Sequence, residues 1–258
     1  MVEQMKSKTT RTQDEGWHLV LGGSDGIGFA FAKWLSERRR RLVVVSRGRE
    51  HLVLARKELL ALGAAEVRTV AGDLLQQAFR SHLFRRLSKL PLSTIFIGGP
   101  SPRAGAIGDI TGKQIESAAQ SCLAYPVHVM SFAIANSCKN RLTVVFLSSS
   151  ASREGLADHP FLLSAAFRRA AEQTLRRMAA LRVEDRMKLV ILRPSVVYTR
   201  LAMAYAQGLP SLQHNDSLLN RLRARFHCTI IPSPDEYIRR AVNASVLTPH
   251  HVLREART

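Results

Sequence analysis

The sequence predicts an α/β protein, a Rossmann-type doubly wound parallel sheet in three layers, α/β/α. Three observations carry this prediction. Six short runs are apolar throughout, without the alternation expected of half-exposed strands, so both faces of the sheet must be covered. Longer stretches with helical spacing separate them, the pattern of parallel βαβ units. The first run leads directly into a glycine-rich turn that opens a helix.

In chain order, residues 18–21 form the first strand. The turn Gly22-Gly23-Ser24-Asp25-Gly26-Ile27-Gly28 follows, then helix to about residue 39. Residues 42–45 are the second strand. The helix over 52–62 ends at Gly63, because glycine takes the left-handed conformation past a helix end without steric cost. A third strand covers 67–70, and the helix after it stops before Pro91. Strand four, 94–97, ends in Gly98-Gly99-Pro100. A long helix spans about 113–136, with a kink expected at Pro126. Strand five is 142–147, a helix covers about 163–182, and strand six is 189–192. Beyond Pro194 the pattern loosens. Residues of about 200–228 read as a helical, polar-mixed insertion able to cover a site at the strand ends as a substrate lid. Residues 1–15 are polar, lack the apolar core of a signal peptide and read as a mobile tail, leaving 16–258 as one domain.

Composition narrows the function. Of 258 residues 46% are hydrophobic, so wholesale disorder is excluded. No run of about eighteen uncharged apolar residues is found, so no membrane span is expected. Three cysteines, Cys122, Cys138 and Cys228, stand far apart without metal-ligand spacing. Neither a disulfide framework nor a metal site is expected, and a reducing, cytoplasmic setting fits. The net charge of +18 comes from 38 Lys and Arg against 20 Asp and Glu, and 30 of the 38 are arginine. Such a balance permits attraction to phosphate. The arginines are spread over the whole chain, and aromatic residues make up only 6%. Nucleic acid is therefore not the expected partner, because a basic patch interleaved with stacking rings is missing.

The glycine turn is the first chemical signal. Of Gly22, Gly26 and Gly28, one permits the tight turn, one lets backbone approach a pyrophosphate, and one lets helix and strand pack closely. The helix start then offers free N–H groups and a partial positive charge to the phosphates, with Ser24 and Ile27 in the same loop. The second strand ends Val45-Ser46-Arg47. A site for NAD usually has a carboxylate there for the ribose 2′-OH. Arg47 instead suits a 2′-phosphate, which a guanidinium grips through two hydrogen bonds, so NADP(H) is the expected cofactor.

Gly22-x3-Gly26-x-Gly28, Gly72-Asp73-Leu74 and Gly98-Gly99-Pro100 in this order resemble the short-chain dehydrogenase/reductase family, over about residues 16–247. The resemblance implies adenine contact by Asp73 and a cofactor position beside Gly98, although Ile97-Gly98-Gly99-Pro100 departs from the family's Asn-Asn-Ala-Gly. The segment from Pro194 to Thr199 resembles the family's Pro-Gly-x-x-x-Thr, which implies that Val197 backbone and Thr199 hold the nicotinamide carboxamide. It further implies Ser149 as the serine that orients a substrate carbonyl.

The family's tyrosine, with a lysine four residues on, has no counterpart in this reading. Leu163 and Phe167 align with the pair, and Ser121 with the family's helix asparagine. The tyrosines are 125, 198, 205 and 237, and four residues beyond them stand Val129, Ala202, Leu209 and Ala241. A lysine beside the phenol matters because its charge stabilises the phenolate and allows proton exchange near neutral pH. Three accounts stay open. Oxidoreduction of a carbonyl, alcohol or activated double bond persists with another donor, for which His159 and Tyr198 are candidates. Alternatively the fold serves a dehydratase, isomerase or cyclase, or it only binds cofactor. Leu163 and Phe167 would give a small, apolar substrate its lining. Arg168-Arg169 and Arg176-Arg177 on the same helix read as a solvated stripe or a subunit contact. A homodimer or homotetramer is implied by resemblance alone.

Overall fold

The computed structural model describes residues 16–98, 110–137, 141–152, 161–181, 187–195, 197 and 232–246. The expected tail and the expected insertion at about 200–228 lie outside these residues.

Six strands form one sheet: β1 (Trp17–Leu21), β2 (Arg41–Ser46), β3 (Glu66–Ala71), β4 (Leu92–Ile97), β5 (Leu142–Leu147) and β6 (Met187–Leu192). Their order is β3-β2-β1-β4-β5-β6, and every pairing is parallel. The order reverses between β1 and β4, which opens a crevice at the carboxyl ends of these two strands. Leu19 lies beside both Val43 and Ile95, and the β1–β4 register shifts once, between Trp17 and His18. All five residues of β1 are buried, as the unbroken apolar runs require of a sheet covered on both faces.

Helices supply the two covers. On one face α1 (Gly26–Ser36), α2 (Arg49–Ala61) and α7 (Pro234–Val246) pack over Val20, Val44 and Phe96. On the other, α3 (Gln77–Leu87), α5 (Tyr125–Ser137) and α6 (Leu162–Ala180) pack over Leu19, Ile95 and Phe146. A short α4 (Gly112–Ala119) leads into α5 and begins with a capping box. Thr111 Oγ1 accepts from Gln114 N–H, and the Gln114 side chain accepts from Thr111 N–H. Gly63 ends α2 as expected, at φ +100°, with Ala64 N–H returning to the Leu59 carbonyl. Leu175 is fully buried on α6. Leu175→Ala should therefore cost about 2–5 kcal/mol in urea denaturation, the scale of a buried leucine deletion with partial collapse.

The long helix carries an irregularity close to the kink expected at Pro126. Residues 120–124 form one π turn, in which Tyr125 N–H donates to the Gln120 carbonyl five residues back. Pro126, which has no N–H to give to the preceding turn, follows it in the first turn of α5. The run Gly112–Ser137 is also, at 26 residues, long and apolar enough by length and composition to cross a membrane. Its apolar character has a local cause, since Tyr125, Val129, Met130 and Ala133 are fully buried against the sheet.

Candidate functional site

The site is built where β1, β2, β3 and β4 end. Gly22 has φ +77° and Gly26 φ +57°, a region in which other residues are strained. The turn is tied to β2 by Gly22 N–H donating to the Val45 carbonyl at 2.8 Å. Two glycines are required by proximity. A Cβ on Gly28 would lie 2.2 Å from the Gly22 carbonyl oxygen, and one on Gly98 would lie 2.5 Å from the Leu21 oxygen. The first closeness lets α1 start against β1, and the second joins the ends of β1 and β4 through Gly98 N–H to the Leu21 carbonyl at 3.0 Å. Asp25 occupies the N-cap position of α1 without a side-chain capping hydrogen bond, and no acidic residue stands in the first turn of the helix.

Ser24 Oγ donates to Ser46 Oγ at 2.7 Å and draws the glycine turn onto the end of β2. Arg47 follows Ser46 and is exposed, in the turn that leads to α2. Ile27 is half-buried at the start of α1. At the end of β3, Asp73 Oδ1 accepts from Leu75 N–H at 2.9 Å and fixes a tight turn. Gly72 N–H donates to the Ser46 carbonyl at 2.9 Å. Hence Gly22, Ser24, Gly26, Ile27, Gly28, Arg47, Asp73 and Gly98 lie along one rim, the ends of β1 to β4, although they are spread over some eighty positions of sequence.

The second half of the rim is formed by β5 and β6. Ser149 is half-buried just past β5. Its Oγ accepts from Ala151 N–H at 3.2 Å, and its carbonyl accepts from Ser152 Oγ at 2.6 Å. Val197 is buried among the side chains under α1 and α7. Thr199, His159 and Tyr198 lie outside the described residues. Leu163 and Phe167 are half-buried near the start of α6, beside its interior stripe of Ser164, Ala165, Arg168, Ala171, Glu172 and Leu175.

Burial disfavours proton loss at both described tyrosines. Burial pushes the phenol of Tyr125 far up, with Arg80 pulling weakly the other way, and burial likewise pushes Tyr237 up. Proton exchange near neutral pH needs the opposite shift. Tyr237 is buried on the sheet face covered by α1.

One group escaped the sequence reading. The Glu172 carboxylate, on α6, accepts from Ser148 Oγ, from Ser152 Oγ at 2.8 Å, and from Arg193 Nε at 3.0 Å to each oxygen. Arg193 Nη2 also donates to it. Arg168 is buried and donates to the carbonyls of Leu147 and Ser148, at 2.6 and 3.4 Å. The solvated arginine stripe expected on α6 is corrected in part: Arg177 is exposed, but Arg168 is an interior donor, and Arg176 is only 32% exposed, 4.0 Å from Glu172. The available signal was two charges four apart, 168 and 172, within an otherwise apolar stripe.

Comparison with known proteins agrees with this geometry. The KR-domain family profile matches residues 16–181, more than half of the chain. The fold superposes on a single-residue variant of actinorhodin polyketide ketoreductase with NADPH at TM-score 0.79 and 18% identity, over 92% of each chain. It also superposes on L-sorbose reductase of Gluconobacter frateurii, complexed with NADPH and L-sorbose, at TM-score 0.77 and 15% identity, over 87% of each. A curated relative, 17-beta-hydroxysteroid dehydrogenase type 3 of Danio rerio, is 29% identical over 79 residues, covering 31% of this chain and 26% of that protein. Very-long-chain 3-oxoacyl-CoA reductase of Macaca fascicularis is 37% identical over 57 residues, 22% and 18% of the two chains. The chain thus matches about a quarter or less of the length of these curated relatives. It belongs to the KR-domain family.

Proposed function

We propose that the protein is an NADP(H)-dependent oxidoreductase that interconverts a carbonyl and an alcohol, or reduces an activated double bond, in a small, largely apolar molecule. The observation that carries this reading is the Ser24–Ser46 hydrogen bond, which brings the phosphate turn against the strand end that bears Arg47. Membership of the KR-domain family and two NADPH-bound structural relatives support it. The residues fit the group: glycines where a side chain would collide, a helix start without a side-chain capping hydrogen bond, and a guanidinium where a 2′-phosphate needs one. Bound NADPH supplies a hydride. Gly22, Ser24, Gly26, Ile27 and Gly28 would cradle the pyrophosphate, Arg47 the 2′-phosphate and Asp73 the adenine. Gly98 and Thr199 would flank the nicotinamide. Ser149 would orient the carbonyl, His159 or Tyr198 would deliver the proton, and Leu163 and Phe167 would line the substrate. A homo-oligomer belongs to the same proposal.

A second reading is favoured by one observation. No tyrosine in the chain has a lysine four residues on, and the phenols of Tyr125 and Tyr237 are pushed up by burial. A dehydratase, isomerase or cyclase, or a protein that binds cofactor without turnover, would need no such pair.

Fluorescence titration with NADPH and NADH separates these readings. The wild type is expected to prefer NADPH, and Arg47→Asp to weaken NADPH by at least about tenfold while sparing NADH, since a carboxylate repels the extra phosphate. Failure of both nucleotides to bind would overturn the first reading. NADPH that binds and stays unoxidised across a panel of apolar aldehydes and ketones would favour the second.

A further inference from the structure

Glu172 stands in a place where a charge is costly. Its side chain is 7% exposed and that of Arg193 is 6% exposed. An apolar pair of similar volume would serve packing as well or better, because desolvation offsets much of the attraction between buried ions. What the carboxylate does instead is tie α6 to the two segments that leave β5 and β6. It holds α6 itself, the turn Ser148–Ser152 through two hydroxyls, and the residue that precedes Pro194 through a two-pronged guanidinium. The ends of β5 and β6 are already paired by Ser148 N–H to the Leu192 carbonyl at 2.8 Å and Ser150 N–H to the Pro194 carbonyl at 2.9 Å. Glu172 fixes the side-chain half of that junction. Ser152 Oγ has one proton and two acceptors within reach, the Glu172 carboxylate at 2.8 Å and the Ser149 carbonyl at 2.6 Å, so the Ser149 turn is coupled to Glu172 through that shared hydroxyl. From the opposite flank Arg168 holds the Leu147 and Ser148 carbonyls.

The two halves of the rim are therefore built differently. Over β1, β2 and β3 the turns are held by backbone and by the short Ser24–Ser46 contact. Over β5 and β6 backbone bonds are joined by one buried carboxylate, which ties both turns to α6. In a doubly wound sheet a dinucleotide lies across both halves, one mononucleotide to each. We propose that Glu172 is a positioning residue for the nicotinamide half of the cleft. It sets the spacing between the Ser149 turn and the segment after Arg193, and leaves the adenosine half untouched. This rests on the NADP(H) reading above.

Two probes divide the cleft. Adenosine 2′,5′-bisphosphate reports the adenosine half alone, and NADPH reports both. Glu172→Gln keeps the shape but sets an N–H donor against Arg193. It is expected to weaken NADPH about tenfold or more, as expected of a small misplacement of binding groups. Adenosine 2′,5′-bisphosphate should stay within about twofold of wild type. The double variant Glu172→Met with Arg193→Met removes both charges, keeps the interior filled and should show the same selective loss; it decides the matter if the single variant does not fold. Equal weakening of both ligands would mean a purely structural role, and no weakening of either would mean none; each result overturns the proposal. A wild-type protein that binds neither probe would defeat the NADP(H) reading first, before any substitution is made, and this proposal with it.

Discussion

Gly28→Ala is expected to abolish NADPH binding at micromolar protein and to lower stability by about 1–3 kcal/mol, the usual range for overpacking a close contact. The added methyl would sit 2.2 Å from the Gly22 carbonyl oxygen and 3.0 Å from its carbon, both of them backbone atoms. A flexible side chain could swing aside; a carbonyl in a turn pinned to Val45 at 2.8 Å cannot. Either α1 backs away from β1 or the turn tilts, and both movements displace the N–H groups that would face a pyrophosphate. Gly112→Ala is the matched control, because a Cβ there meets nothing within 4 Å. It should leave both NADPH affinity and the thermal midpoint nearly unchanged. If Gly28→Ala kept wild-type NADPH affinity, the turn would not be the phosphate cradle.

The central strands were legible because their apolar runs are nearly unbroken, the pattern of a strand buried on both faces, whereas β3 at the sheet edge carries Glu66 and an exposed Arg68. Val43, Val44 and Val45 alternate between the two covers and all three are buried. Gly63 was legible because a helix end with left-handed geometry selects glycine. The rim from Gly22 to Gly98 was legible for the same reason, since close backbone approaches leave a residue-type record. The Glu172 hub left a weaker one. An arginine on a helix reads as solvated unless its phase is followed, and Arg168 shares the interior stripe with Ala165 and Leu175. Arg193, alone before a proline, carries no periodic signal at all. The bond between Ser148 and Glu172 spans 24 positions, and the pairing exists only once β5, β6 and α6 have been brought together. The π turn at 120–124 has no residue-type signature of its own; only Pro126, which follows it, marks the place in the sequence.

The largest stability effect is expected from breaking the Glu172–Arg193 pair on one side only. Glu172→Met strips Arg193 of the carboxylate that accepts from Nε and Nη2, and it should cost about 3–5 kcal/mol in urea denaturation. Arg193→Met should cost less. It leaves Glu172 with the hydroxyls of Ser148 and Ser152, and with Arg176, already 4.0 Å away and partly exposed, free to close in. The double change to methionine should regain most of the loss, because neither charge is then stranded and the volume is still filled. A thermodynamic cycle over the four proteins would therefore yield a coupling of more than about 1 kcal/mol, outside the range in which distant sites simply add. Additive losses, or equal losses for the two single variants, would contradict the distribution of donors around the carboxylate. The cycle also separates two properties that the site combines. If the double variant is stable yet has lost its preference for NADPH over adenosine 2′,5′-bisphosphate, the buried pair serves the geometry of the cleft and the fold does not depend on it.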